Sequence, residues 1–270
     1  MFKPKTSPFN DIARQSANIV FAVSQIFTGY FLTYLNIGRS LQSQTEIAKT
    51  PVIPAGYAFS IWGFIFLFCL FYAFYQASPS KRENELLRKI GWFTTGAFLF
   101  NTAWVLVAQL VTFNWPTVLI IILILICSLG ALFRLTDYKK TLTSVEKWVV
   151  ALPVSVLAGW VSVATFANIS SVLKQLQFNN FGLSETAFAL LLLFVTGAFA
   201  KFAIYRSNGN ALYGLAIIWA LVAIIVANTN NDVVMVTAGA MILAIVLTVI
   251  FIKKQKKESF IEKYFGRFFA

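Results

Sequence analysis

Histidine is absent from this chain of 270 residues, and cysteine occurs only twice. Without histidine, the sequence lacks both the commonest metal ligand and the usual general base at neutral pH. The two cysteines, Cys69 and Cys127, lie inside apolar stretches, where a thiol behaves as a small apolar group. No nucleophile–base pair and no phosphate-binding glycine loop is visible. We therefore expect no metal site, no disulfide and no ordinary hydrolase or transferase.

Charge is also scarce. Charged residues make up 12% of the chain and hydrophobic residues 59%, and that charged fraction is about half of what a soluble domain carries. A helix that crosses a bilayer needs about 20 mostly apolar residues. The sequence predicts an all-α polytopic membrane protein with about eight transmembrane helices, near residues 17–35, 55–76, 91–112, 116–134, 148–168, 186–204, 211–228 and 233–252. The first of these has no signal-peptide cleavage pattern, so we expect it to be retained.

The net charge of +12 follows the membrane topology. If the chain starts in the cytoplasm, only Arg39, Lys49 and Lys174 of the 22 basic residues fall on the outer side. Such a bias is typical of cytoplasmic loops in membrane proteins, and it argues against nucleic acid as a partner. We expect the lipid bilayer as the partner, in the cytoplasmic (inner) membrane of a bacterium, with both termini inside.

The predicted spans carry no ionisable side chain near their middle, since Glu185 and Lys201 lie near span ends. Intramembrane charges are typical of proton relays and ion pathways, so an ion-coupled pump or channel is disfavoured. Composition shifts near residue 186, from spans dense in aromatic residues to spans of Ile, Val, Ala and Leu. This predicts a polar cytoplasmic arm (1–16), a five-helix membrane domain (17–170), an additional three-helix segment (171–252) and a basic amphipathic tail (253–270).

Three motifs follow one another along the first five spans. Residues 51–62 read PVIPAGYAFSIW, residues 99–104 read LFNTAW, and residues 160–168 read WVSVATFAN, with Pro153 upstream. Together they resemble the Pro-Pro-x-Trp-x-Phe-x-x-Trp, Leu-Asn-x-x-Trp and Trp-x-x-Phe-Ala-Thr-x-x-Asn motifs of the TspO/MBR family (translocator proteins, or tryptophan-rich sensory proteins). The resemblance covers roughly residues 17–170 and implies that family's five-helix bundle.

Helix geometry places three tryptophans at one depth. With a rise of 1.5 Å per residue, Trp62, Trp104 and Trp160 lie roughly 10–12 Å below the outer helix ends. They could pack inside the bundle, line a ligand cavity or face lipid. An amide in hydrocarbon is costly, so Asn101 and Asn168 should face inward, either as interhelical hydrogen bonds or as edges of a cavity.

The resemblance implies a membrane receptor for a flat lipophilic ligand, a tetrapyrrole such as protoporphyrin, with a sensory or translocator role. No cofactor is required, and porphyrin is the expected ligand, metal-free because imidazole cannot ligate haem iron here. The loop 36–54 would act as a lid, and a homodimer is a further expectation. By resemblance, the ligand-binding residues are Pro54, Tyr57, Phe59, Trp62, Asn101, Trp104, Trp160, Ala164, Thr165 and Asn168.

Other functions stay open at this point. Some family members are linked to light-dependent porphyrin breakdown, which leaves enzymatic activity undecided. A transporter of small lipophilic solutes and a structural or regulatory membrane subunit are the alternatives. The family's sterol-contact pattern after the fifth helix is absent from residues 169–174, which disfavours a sterol ligand.

Overall fold

Helices form nearly all of the protein. A computed structural model describes residues 8–265, and within that range the regular structure is helical and without strands. Eight long helices lie close to the eight predicted spans: α1 (Pro8–Tyr34), α3 (Ile61–Ala77), α4 (Glu85–Leu110), α5 (Trp115–Thr136), α7 (Leu152–Gln175), α8 (Glu185–Arg206), α9 (Ala211–Ala227) and α10 (Asp232–Phe265). Shorter elements connect them: α2 (Leu41–Ile47), α6 (Ser144–Glu146), 3₁₀ turns at Gly56–Ser60, Pro79–Lys81 and Asn180–Gly182, and a π-helical turn at Lys147–Ala151.

Six helices in the described range are long and apolar enough to cross a membrane: α3 with its preceding 3₁₀ turn, α4, α5, α7 with the turns before it, α8 and α10. Helix α9 is as apolar but has 17 residues, and α1 carries several polar side chains. The class of polytopic, all-α membrane protein is therefore confirmed.

Helix α1 begins well before its predicted span. Residues 8–16, predicted as part of a polar arm, belong to α1, and residues 1–7 lie outside the described range. The helix extends this far because its polar side chains find partners. The buried Arg14 guanidinium donates to Gln76 Oε1 and to the Leu87 carbonyl, each at 3.2 Å, and Asp11 forms an ion pair with Arg88.

Polar caps start several of the helices where the sequence turns. The Asn114 side chain accepts a hydrogen bond from Thr117 N, and the Thr117 hydroxyl accepts one from Asn114 N. This reciprocal pair satisfies backbone groups that a helix start leaves open. It confirms the tight turn predicted from Asn-Trp-Pro at residues 114–116, and Pro116 tolerates the first turn of α5 because no intrahelical bond is needed there.

Helix α7 is the centre of the bundle and packs against α3, α5, α8 and α9. The approach of α9 is close because Gly159 has no side chain: a Cβ there would lie 2.4 Å from the Tyr213 carbonyl oxygen. Ser162 and Tyr213 share a hydrogen bond of 2.9 Å, and Asn210 Nδ2 donates to Ser155 Oγ at 2.9 Å. The three additional helices are thus packed directly onto the five-helix unit.

The predicted tail does not begin with a separate helix in the described range. The backbone of α10 continues from Asp232 through Phe265 without a break, since no glycine or proline occurs between residues 253 and 265 to end it. The remaining residues of the predicted tail, 266–270, lie outside the described range.

Candidate ligand-binding site

The loop between α1 and α3 folds over one end of the bundle. Gly38 adopts a φ of +75°, and a Cβ there would lie 2.2 Å from the Gln109 carbonyl oxygen, so the chain can approach α4 only with glycine at this position. Arg39 N donates to that carbonyl at 2.8 Å. Further along, Gln44 Nε2 donates to the Ala108 carbonyl at 3.0 Å. These contacts fasten α2 to the end of α4.

A cavity of about 580 Å³ lies beneath this loop. Its walls come from α2, α3, α4, α5, α7 and residues 51–60, which we call the mouth segment. The volume is in the range of sites that hold small molecules. The lining residues are Leu41, Thr45, Glu46, Ile53, Pro54, Gly56, Phe59, Trp62, Asn101, Trp104, Phe113, Ile121, Ile124, Trp160, Val161, Val163, Ala164, Ala167, Asn168 and Ser171.

Aromatic rings form much of this lining. Trp160 meets the Trp62 ring edge to face, with centroids 6.2 Å apart, and the Phe59 ring in the same manner at 5.9 Å. Trp104 and Phe113 make a tilted pair at 5.9 Å. The surfaces of these rings offer an apolar ligand a large contact area with little conformational freedom to lose.

Four polar atoms at the cavity are buried and have no hydrogen-bond partner among the described residues. They are the indole Nε1 atoms of Trp104 and Trp160 and both amide atoms of Asn168. Asn101 differs, because its Nδ2 donates to Gln25 Oε1 at 3.1 Å. Buried polar groups in proteins nearly always have a partner, so these four atoms could bind polar groups of a ligand.

The comparison with known families gives a clear result at this point. The family model for TSPO-like proteins matches residues 15–252. The chain belongs to the TSPO-like family. This confirms the resemblance inferred from the three motifs, and the match extends beyond the five-helix unit over α8, α9 and most of α10. No curated protein and no solved structure matches the chain significantly.

In this TSPO-like protein, most of the predicted site residues line one cavity. Those that do are Pro54, Phe59, Trp62, Asn101, Trp104, Trp160, Ala164 and Asn168. Their part in binding stays a prediction, but the three tryptophans predicted at one depth do surround the same space. Trp62 and Trp160 are in direct contact, so packing and cavity lining occur together.

Tyr57 and Thr165 lie outside the lining. The mouth segment ends in a 3₁₀ turn, Gly56–Ser60, where an α-helix was predicted, and this geometry turns the Tyr57 ring onto Trp219 at 5.5 Å. Thr165 follows Ala164 by one position, which is about 100° around the helix. It is buried, and its hydroxyl donates to the Val161 carbonyl at 2.8 Å.

Sequence reasoning missed the contribution of α2 to this TSPO-like site. Leu41, Thr45 and Glu46 of this short helix line the cavity, within a loop that was predicted only as a lid. The available signal was Ser40, whose side chain accepts a hydrogen bond from Ser43 N and caps the helix. Glu46 is the one charged side chain among the described lining residues.

Proposed function

We propose that this protein is a membrane receptor that binds a flat lipophilic ligand in the cavity beneath the loop, with a sensory or translocator role. The observation that carries the proposal is the set of four buried polar atoms without partners, which face a space walled by aromatic rings. Membership of the TSPO-like family supports a tetrapyrrole such as protoporphyrin as the ligand class.

Packing alone explains this arrangement less well. Tryptophans that only fill a helix bundle can be fully enclosed, as Trp160 nearly is at 2% exposure, and their N–H groups then bond to a neighbouring carbonyl or hydroxyl. Two indole N–H groups and a complete amide without partners around one space are costly in a folded protein. A ligand with acceptor and donor groups would offset that cost.

The charge of the lining suggests how a porphyrin would lie. The described lining holds no cationic side chain, and Glu46 is its only anion. The macrocycle would therefore stack against Trp62 and Trp160, while its carboxylates stay at the open side near water. Because the chain has no histidine, we propose the metal-free porphyrin rather than haem.

Tryptophan fluorescence of the detergent-purified protein, titrated with protoporphyrin IX, tests the proposal. We expect saturable quenching in the native protein and about tenfold weaker binding in Trp160→Phe, which loses an indole N–H group, with a smaller loss in Trp62→Phe. Trp148→Phe is the matched control, because Trp148 is 61% exposed and lies outside the cavity lining.

Thermal unfolding of each variant shows whether it is folded. Equal affinities in all four proteins, or linear quenching without saturation, would mean that the porphyrin only partitions into the micelle, and the proposed site would be abandoned.

A further inference from the structure

Helix α9 is bonded to the mouth segment, although some 160 or more residues separate them. Three hydrogen bonds join the two: Trp219 Nε1 donates to the Ala58 carbonyl at 3.0 Å, Asn228 Nδ2 donates to the Pro51 carbonyl at 2.8 Å, and Ala55 N donates to the Ala223 carbonyl at 3.0 Å. The Trp219 ring also meets the Tyr57 ring edge to face. The mouth segment is thus held at its beginning, middle and end.

The residues that are held alternate with the residues that line the cavity. Ile53 and Pro54 lie between the first and second of the three bonds, Gly56 lies between the second and third, and Phe59 directly follows the third. A shift of the main chain at any of these bonds would therefore move a part of the cavity wall.

Helix α9 is itself fixed to the opposite wall. Its first turns pack on α7 at Gly159 and share the hydrogen bond between Tyr213 and Ser162. Helix α7 carries Trp160 and Asn168 of the cavity. The contacts of α9 therefore connect the mouth segment to α7 from outside the cavity, without placing any described side chain of α9 in the lining.

We propose that α9 is a brace that holds the mouth segment in place over the cavity, and that Trp219 and Asn228 are positioning residues that set the rate of ligand exchange. This gives the additional three-helix segment a role in the site, and it rests on the proposed ligand-binding function. Loosening the brace lets the mouth segment open more often, so ligand enters and leaves faster. The lining itself is unchanged, so affinity changes little.

Hydrogen–deuterium exchange of the full-length, ligand-free protein in detergent tests the brace without any ligand. In Trp219→Phe, which keeps a ring beside Tyr57, and in Asn228→Ala, we expect the amides of the mouth segment to exchange about three- to tenfold faster. Asn231→Ala is the matched control. Asn231 lies on the same loop, and its Nδ2 donates to Thr186 Oγ1 at 3.0 Å, so its loss costs a similar bond away from the mouth segment.

Stopped-flow quenching with protoporphyrin IX provides the second arm. We expect the association and dissociation rates of Trp219→Phe and Asn228→Ala to rise together by about three- to tenfold, with Kd within about twofold of the native value and the control unchanged. Mouth-segment exchange that stays native, or rises equally in the control, overturns the brace. Faster exchange with native ligand rates overturns its effect on ligand entry.

The two proposals fail in different ways. If the mouth segment exchanges faster in both variants while no protein shows saturable quenching, the brace stands and the porphyrin site falls. If the native protein binds saturably while neither exchange nor ligand rates respond to the variants, the porphyrin site stands and the brace falls.

Discussion

Replacing Asn168 with leucine should raise stability and weaken ligand binding at the same time. Asn168 is 5% exposed, and neither of its amide atoms has a partner among the described residues. In the ligand-free protein these atoms are a cost, whereas in the complex they can bond to the ligand. Leucine has a similar size and no polar atoms, so Asn168→Leu removes both the cost and the bonds.

The magnitudes follow from the two buried atoms. An unsatisfied buried polar group costs about 1–3 kcal/mol, and 1 kcal/mol corresponds to about 2–4 °C in the Tm of a large domain. Since some of the cost is offset by local polarity, we expect a Tm about 2–6 °C above the native value. Losing one or two hydrogen bonds to the ligand, each about 0.5–1.5 kcal/mol, weakens binding by about tenfold.

Asn101→Leu is the matched control, with the opposite expected effect on stability. Asn101 lines the same cavity and is equally buried, but it donates to Gln25 Oε1 at 3.1 Å. Its replacement breaks a buried interhelical bond and should lower the Tm. Thermal unfolding in detergent and the protoporphyrin IX titration measure both effects. A lower Tm for Asn168→Leu, or an unchanged Kd, would refute our account of the open amide.

Two further predictions concern packing and pH. Gly159→Ala places a Cβ against the Tyr213 carbonyl and should destabilise the protein by about 1–3 kcal/mol, whereas Gly239→Ala, where a Cβ meets no atom within 4 Å, should not; equal unfolding temperatures would contradict this contact. The Arg206 guanidinium bonds to Asp137 and lowers the pKa of that carboxyl. The pair therefore adds stability that is fully present above the ordinary carboxyl pKa of about 4 and is lost as pH falls through the lowered pKa; unfolding measured from pH 3 to pH 6 should show a smaller loss for Asp137→Asn than for the native protein.

The long helices could be predicted because each depends on a local pattern. Apolar stretches of about 20 residues have few alternatives to a membrane helix, and Asn114 with Pro116 announces the start of α5 within four residues. The site was predictable for a related reason. Trp62, Trp104 and Trp160 lie at fixed distances along helices whose direction follows from the charged loops, so their common depth is arithmetic.

What could not be predicted depends on contacts between distant residues. The 3₁₀ turn that moves Tyr57 out of the lining is held by bonds to α9, and the Trp219–Ala58 and Asn228–Pro51 bonds span 161 and 177 residues. No local pattern in residues 51–60 encodes them. Helix α2 has only seven residues, too few for periodicity to reveal, and α1 extends to Pro8 only because Gln76 and Leu87 accept hydrogen bonds from Arg14.

The bonds between α9 and the mouth segment end on main-chain atoms of that segment. A carbonyl or an amide N–H is present whatever side chain the residue carries, so substitutions at Ile53, Gly56 or Phe59 can reshape the cavity wall while the same three bonds remain. The shape of the wall and its position in space are thus governed by different parts of the chain. Descendants of this protein could acquire new ligands by mutation of a few wall residues, without having to evolve a new support for them.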